Sequence, residues 1–289
     1  MSDHIPGTYF QAASDDCKLG FRSLCDLETR ITSMRLGGNI ALVTGAGQGI
    51  GKGCALELAR SGADLVINDR PGSRELHQTA TEIRAMGRSC TSIEGDVFSR
   101  PDCERIVASA IAAAGRVDIL VSNPAYNNRS DFLDYDPDEF EKIIRGVLIS
   151  AFHVSQLVAR HFVERQAGGK ILFISSVHAP VPYARNAAYN AGKAGLNHLC
   201  RTIAVELARH RINVNAIEPG WIDTPGERAV FGEDVIQAEG KKLPWGRIGT
   251  IEDVGRATAF LCSDEADYIT GTILRVDGLI VYKDCAAEF

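Results

Sequence analysis

From about residue 36 onward, short apolar runs alternate with longer amphipathic stretches. The runs Ile40–Thr44, Leu65–Asn68, Ser92–Glu94, Ile119–Ser122, Ile171–Ser175, Asn213–Ile217 and Ile273–Val276 have strand length. Most lack an alternating polar face, which predicts strands buried on both sides of a sheet. Between them, Gly51–Ser61, Ser73–Met86, Cys103–Ala114, Pro137–Arg165, Ala187–Arg209 and Ile251–Leu261 carry helical spacing. This rhythm predicts an α/β fold, a parallel sheet with helices on both faces. One helix start is explicit. Asp136-Pro137-Asp138-Glu139 offers an N-cap acid, a proline at the first helical position and a glutamate at the third. Ser73 and Thr250 or Ile251 open other helices less clearly.

No Gly/Ser-rich or Pro-rich linker and no internal repeat divides residues 34–289, which read as one domain. Residues 1–33 have little periodicity and carry Asp15-Asp16, Arg22 and Glu28-Thr29-Arg30. They read as a flexible N-terminal extension without the apolar stretch of a secretory leader.

Composition narrows the class. A chain of 289 residues that is 45% hydrophobic can bury one sizeable core. The net charge of −6, with no Lys/Arg block, argues against nucleic acid or an anionic membrane surface as partner. Runs such as Ile40–Val43 and Ile171–Ile174 are far too short to span a bilayer. Eight cysteines are scattered without a C-x-x-C pair or zinc spacing. The expectation is therefore no metal site, reduced structural thiols and a cytoplasmic setting.

The candidate chemistry begins with Tyr189 and Lys193, four residues apart and so on one helix face. A free phenol has a pKa near ~10. A neighbouring ammonium favours the phenolate, so Lys193 is expected to lower that value. Ser176, thirteen positions before Tyr189, is placed to hold a substrate oxygen against the phenol. These are the parts of a carbonyl/alcohol proton-transfer site.

Upstream, Thr44-Gly45-Ala46-Gly47-Gln48-Gly49-Ile50-Gly51 follows the first strand and opens a helix. Glycines there permit positive φ and close backbone approach to a pyrophosphate, and the helix N-terminus favours phosphate. The strict G-x-G-x-x-G spacing is not met; Gly45, Gly49 and Gly51 fall as T-G-x3-G-x-G. Asp69 ends the second strand, where an acid accepts from a ribose diol and repels a 2′-phosphate. That favours NAD over NADP, although Arg70 beside it is suited to a phosphate. Asp96, after the third strand, is a candidate for the adenine rim.

Taken in order, the T-G-x3-G-x-G loop, Asp96-Val97, Ser176, Tyr189-x3-Lys193, Pro219-Gly220-Trp221-Ile222-Asp223-Thr224 and Gly271–Gly278 resemble the short-chain dehydrogenase/reductase family over roughly residues 36–280. The resemblance implies a single-domain, Rossmann-type, doubly wound sheet of about seven strands, nicotinamide hydride transfer and a homotetramer or homodimer. It implies Tyr189 as acid/base, Lys193 as its modulator and a holder of the nicotinamide ribose, and Ser176 as the group orienting the substrate oxygen. Gly45, Gln48, Gly49, Ile50, Gly51, Asp69, Asp96, Val97 and Asn123 would hold the adenosine and pyrophosphate side. Pro219, Gly220, Ile222 and Thr224 would run along the nicotinamide.

Three positions depart from the family pattern: Ser122-Asn123-Pro124-Ala125 in place of Asn-Asn-Ala-Gly, Val147 where many members have asparagine, and Leu279 in place of glycine. Residues 224–245 are expected to form a substrate lid hinged at Pro225-Gly226. Trp221 and Phe231 are candidates to wall it, while Trp245 reads as core. His178 and Tyr183 join Ser176 and Tyr189 as candidate substrate contacts. Arg129 and Arg185 read as solvated. The expected substrate is a secondary alcohol or ketone, either a sugar or polyol or a 3-oxoacyl thioester. The alternative is a dinucleotide-binding sensor or scaffold with little turnover.

Overall fold

The computed structural model describes residues 35–285; the expected N-terminal extension lies outside them. The seven apolar runs become seven parallel strands: β1 Ile40–Thr44, β2 Asp64–Asp69, β3 Cys90–Glu94, β4 Ile119–Ser122, β5 Gly169–Ile174, β6 Ile212–Pro219 and β7 Ile273–Val276. They form one sheet in the order β3-β2-β1-β4-β5-β6-β7. Strand order reverses between β1 and β4, and the crevice outside their carboxyl ends is where such sheets receive ligands.

The helices are α1 Gly49–Arg60, α2 Arg74–Ala85, α3 Arg100–Ala114, α4 Pro137–Ile144, α5 Ser150–Arg165, α6 Ala187–Leu207, α7 Pro225–Phe231, α8 Glu233–Gly240 and α9 Ile251–Leu261. Their starts follow the caps read from sequence. Asp136 accepts from the backbone N–H groups of Asp138 and Glu139, Ser73 accepts from that of Leu76, and Thr250 with Asp253 closes a capping box.

Two apolar layers enclose the sheet. Val43, Leu58, Ile67, Leu76, Ile217 and Val254 pack on one face; Leu42, Ile106, Val154, Phe162, Phe173 and Leu196 pack on the other. Burying strands on both faces is what removes the alternation from their sequences. The six cysteines among the described residues carry free thiols, all buried except Cys285.

The helix expected over Pro137–Arg165 runs unbroken over its 29 residues and carries one π turn. Residues Arg145–Ile149 form a π turn, and the Ser150 hydroxyl donates to the Gly146 carbonyl at 2.8 Å. Gly146 is crowded by Phe98, whose ring would lie 2.5 Å from any added Cβ. The whole Pro137–Arg165 segment is long and apolar enough to cross a membrane by length and composition, which apolar run lengths alone did not suggest. Half of its apolar window is buried in the fold, where Ala151, Val154, Val158 and Phe162 belong to the second core layer.

Candidate active site

The glycine loop leaves β1 and enters α1 directly. Gly45 and Gly49 have φ of +64° and +56°, a region costly for residues with a Cβ. Gly51 is needed for space instead: a Cβ there would lie 2.0 Å from the Gly45 carbonyl oxygen. Asn123, at the end of β4, donates from Nδ2 to the same carbonyl at 3.0 Å. Its own N–H donates to the Thr44 hydroxyl. Asn123 therefore braces the loop from the neighbouring strand, a role that Thr44 shares and that the sequence did not reveal. Gln48 is the N-cap of α1 with no side-chain cap bond, so the N–H groups of Gly49, Ile50 and Gly51 have no side chain competing for them.

Asp69 sits across this loop. Its carboxylate accepts from the Gly47 N–H at 3.0 Å, the Arg70 N–H at 2.8 Å and the Ser73 hydroxyl at 3.3 Å. A Cβ on Gly47 would fall 2.2 Å from the Asp69 carboxylate. Asp96 spends one carboxylate oxygen on the Phe98 N–H, and Val97 is buried in the second core layer. A cleft of about 750 Å³ runs from Gly47, Gln48 and Gly49 past Lys52 and Gln78 to Asp223, Thr224, Pro225 and Arg228.

The far wall is built from the end of β6. The Gly220 N–H donates to Val276, and an added Cβ would meet the Asp277 Cα at 2.7 Å. Ile222 is buried and bridges to Gly249. Thr224 caps α7 through Glu227, and its Cγ2 lies 3.5 Å from where a Gly49 Cβ would sit. Pro219 accepts from the Val177 N–H, which ties the Ser176 segment to this wall. The glycine cradle, the uncapped helix start and Asp69 together fit a dinucleotide: space only glycine leaves, donors for phosphate, and an acceptor for a diol.

Ser176, Tyr189 and Lys193 converge at the carboxyl edge of β5. Lys193 is 1% exposed and donates from Nζ to the Ile174 carbonyl at 2.7 Å. The same Nζ lies 5.5 Å from the Tyr189 ring centroid. Burial depresses the lysine pKa to about 7. Tyr189 packs beside Ile143, Val147 and Ala188, and burial pushes its phenol up to about 12. The Ser176 hydroxyl opposes that shift and the Glu227 carboxylate adds to it. The expectation that Lys193 lowers the tyrosine pKa is thus not met in the chain by itself. Desolvation dominates, and the Lys193 ammonium is engaged at the Ile174 carbonyl.

Val147 is 1% exposed and within the π turn; its Cγ1 would meet an added Gly192 Cβ at 3.0 Å. A hydrogen-bonding side chain is replaced there by packing. The other departures are also accommodated. Pro124 backs onto Gly45, and Leu279 adopts φ +66° with its N–H donating to Asp277.

The lid segment holds α7 and α8. Trp221 meets the Phe231 ring edge-on at 5.6 Å and donates to the Glu227 carboxylate at 2.9 Å. Arg228 pairs bidentately with Asp223 at 2.6 and 2.7 Å. Arg129 is not simply solvated: its guanidinium lies 5.3 Å over the Phe231 ring. Arg185 pairs with Asp131 on the surface. Trp245, expected in the core, is 66% exposed and packs only its stem toward Gly278. Its apolar size was a misleading signal: the flanking Pro244 and Gly246 mark a local turn, closed by the Gly246 N–H donating to the Leu243 carbonyl at 2.8 Å. Glu227 and Asn190 were missed by the sequence reading, for neither stands at a spacing that advertises a role.

The buried lysine makes a testable statement about stability. Between its depressed pKa near 7 and the ~10.4 of an unfolded lysine, the unfolded chain binds the proton more tightly. The cost of burying the ammonium is therefore full below about pH 7 and fades as pH rises toward ~10. Lys193→Met is expected to raise Tm over the wild type most at pH 6, with the difference shrinking by pH 9.5. An equal Tm difference at both pH values would contradict this ionisation.

A parallel sheet with a glycine cradle at its switch point, an aspartate at the end of β2 and a Ser-Tyr-Lys cluster fits a nicotinamide dinucleotide-dependent oxidoreductase. A family model described as enoyl-(acyl carrier protein) reductase matches residues 45–278. An uncharacterized oxidoreductase, YohF, of Escherichia coli K12 is 36% identical over 83% of this chain and 94% of its own length. The 2-dehydro-3-deoxy-D-gluconate 5-dehydrogenase of the same organism is 34% identical over 86% of this chain and 97% of its own. Among solved structures, 7α-hydroxysteroid dehydrogenase in complex with NADH and 7-oxoglycochenodeoxycholic acid superposes with a TM-score of 0.80. It is 34% identical, covering 86% of this chain and 96% of that one. The chain belongs to the short-chain dehydrogenase/reductase family. It is an NAD(P)-dependent enzyme of the class that interconverts alcohols and carbonyls.

Proposed function

We propose that this enzyme oxidises a small secondary alcohol, or reduces the matching ketone, with Tyr189 as acid/base and NAD as preferred cofactor. The observation that carries this reading is the meeting of Ser176, Tyr189 and Lys193 at the sheet edge that also presents the glycine cradle. When bound, the dinucleotide supplies or accepts the hydride.

The residues of the chain divide the remaining work. The glycine loop and the start of α1 bind the pyrophosphate, and Asp69 takes the ribose diol. Asp96 and Val97 border the adenine, and Asn123 holds the loop in place. Pro219, Gly220, Ile222 and Thr224 line the nicotinamide side. Ser176 donates to the substrate oxygen while its own oxygen accepts from the His178 N–H at 3.1 Å. In reduction, the Tyr189 phenol gives its proton to the nascent alkoxide. In oxidation, it must first lose that proton, and a charged Lys193 nearby favours the loss. The lid helices α7 and α8 cover the reacting atoms and exclude water.

NAD rather than NADP follows from the fixed carboxylate of Asp69, which would face a 2′-phosphate. Asp69→Ala is expected to narrow the ratio of NAD to NADP kcat/KM by about tenfold or more, the scale of one charge-assisted contact. An unchanged ratio would remove Asp69 as the reader. The sensor or scaffold reading has less support, because a protein without turnover has no use for a buried lysine and serine beside a partly buried tyrosine. Turnover of a panel of secondary alcohols with each cofactor tests the choice; tight cofactor binding with no turnover would favour the scaffold. A homodimer or homotetramer is consistent with apolar Phe152 on α5 and Val205 on α6, both exposed. A cytoplasmic setting agrees with the free thiols.

A further inference from the structure

The loop that leaves β4 braces the glycine turn through Asn123 and the Gly45 carbonyl. The same loop also reaches the helix that carries Tyr189 and Lys193. Asn127 donates from Nδ2 to the Asn186 side-chain oxygen at 2.9 Å. Asn186 is 4% exposed and immediately precedes α6. Its own Nδ2 donates to the Ala184 carbonyl at 2.9 Å. A carbonyl only accepts, so the Asn186 nitrogen faces Ala184 and its oxygen faces Asn127.

This contact replaces the usual arrangement at a helix start. Asparagine is a preferred N-cap, and its side-chain oxygen ordinarily accepts from the second or third helical N–H. Asn186 makes no such bond; its oxygen is spent on Asn127. The third residue of α6 is Tyr189. The backbone just before the helix is unusual as well. Arg185 has φ +65°, a region that a residue with a Cβ adopts at a cost. The β4 loop holds that conformation. The Ser130 N–H donates to the Arg185 carbonyl at 3.1 Å, and Asp131 pairs with the Arg185 guanidinium at 3.2 Å. Backbone strain persists only where its surroundings over-determine it, and it collects where geometry serves function. Asn127, Ser130 and Asp131 thus grip residues 185 and 186 within one helical turn of Tyr189.

We propose that Asn127 is a positioning residue for the reaction, acting through Asn186 to set how the first turn of α6 presents the Tyr189 hydroxyl to the substrate. The inference rests on Tyr189 as acid/base. Ser176 stands on a different element, after β5, so phenol and serine meet at one substrate oxygen only if the entry of α6 is fixed. A misplacement of about 1 Å costs on the order of 10²-fold in rate. Lys193 anchors α6 one turn further on, at the Ile174 carbonyl; Asn127 fixes the end that bears the phenol. Asn127 is exposed on its loop, so replacing it leaves both core layers intact.

The test is a cycle of Asn127→Ala, Asn186→Ala and the double variant, with Asn127→Gln as the conservative replacement. The substrate is whichever of 2-butanol, cyclohexanol and 2,3-butanediol the wild type oxidises fastest. Single-turnover NADH formation gives the chemical rate, beside KM, NADH affinity by fluorescence, and Tm. Asn127→Ala is expected to slow single turnover by about tenfold, with KM and NADH affinity within about twofold. Asn127→Gln keeps an amide donor and is expected to recover part of that loss. The double variant is expected to be no slower than Asn186→Ala, because both changes break the same bond. Losses that multiply in the double variant would overturn the role. So would an unchanged rate with a lowered Tm, which would make the bond merely structural. A raised KM at an unchanged rate would overturn it too, by making Asn127 a substrate contact. None of these results touches the Tyr189 assignment. Normal NADH binding with no turnover of any of the three alcohols by the wild type would instead strike that assignment, and this inference with it.

Discussion

Tyr189→Phe is expected to lower kcat by about 10²–10⁴-fold, the range for loss of a general acid/base, while NADH affinity stays within about twofold. Phenylalanine keeps the ring that packs against Val147 and Ala188 and stacks edge-on with His178; only the hydroxyl is lost. The pH dependence carries the assignment further. Burial holds the phenol at about 12 in the chain alone, so at neutral pH the tyrosine is protonated and poised as an acid. Below that pKa the phenolate fraction grows tenfold per pH unit. The alcohol-oxidising rate of the wild type is expected to climb with pH through the neutral range into the alkaline, and that of the variant to stay flat. Bound cofactor and a charged Lys193 shift the curve to lower pH without changing its direction. Steady-state oxidation rates from pH 6 to 10 provide the measurement. A Phe variant with comparable kcat, or with the same pH slope, would take Tyr189 out of the chemistry.

Gly51→Ala is expected to weaken NADH binding by about 10–100-fold. The new methyl would lie 2.0 Å from the Gly45 carbonyl oxygen and 2.5 Å from Asn123 Nδ2. Both neighbours hold the loop: the Gly45 carbonyl accepts from Asn123, and Asn123 is tied in turn to Thr44. The methyl cannot be absorbed by the swing of a flexible side chain, so the cradle itself must open. Overpacking of this kind costs about 1–3 kcal/mol, and each ~1.4 kcal/mol at the phosphate site is tenfold in Kd. Gly72→Ala is the control. Unlike Gly51 it has a positive φ, +78°, and no atom within 4 Å of the added methyl. It is expected to lose stability of about 1–2 kcal/mol from the left-handed backbone and to bind NADH as the wild type does. Fluorescence titration of the two variants separates crowding from strain. Equal affinities for both would mean that the loop is not held closed by the contacts at Gly51.

The fold and the outline of the site were legible because they rest on local patterns. Seven apolar runs without alternation become seven strands because a parallel sheet is buried on both faces. The caps Asp136, Ser73 and Thr250 act within three residues of themselves. The four-residue spacing of Tyr189 and Lys193 needs only a helix to place both on one face. The glycine loop announces itself through positive φ and close approach, which only one residue type tolerates.

What the sequence could not decide depends on groups that meet from distant parts of the chain. The Pro137–Arg165 periodicity is helical throughout and the helix is continuous, but its register shifts by a π turn at Arg145–Ile149, where Phe98, from the loop after β3, leaves room only for the glycine at 146. Trp245 has the size of a core residue, but the surrounding turn leaves it at the surface. The spacing of Tyr189 and Lys193 suggested a lowered phenol pKa, whereas burial raises it and the Ile174 carbonyl holds the lysine. The tautomer of His178 follows only from the direction in which Asn190 points, and that direction is set by the Tyr183 backbone. By itself, then, the sequence determined the α/β sheet, the glycine loop after β1 and the Tyr189–Lys193 helix face, since each follows from spacing along one element, while Ser176 reaches them from the end of β5. Proton affinities, hydrogen-bond directions and the π turn were decided by the tertiary structure, because desolvation and bond geometry depend on neighbours that only folding brings together.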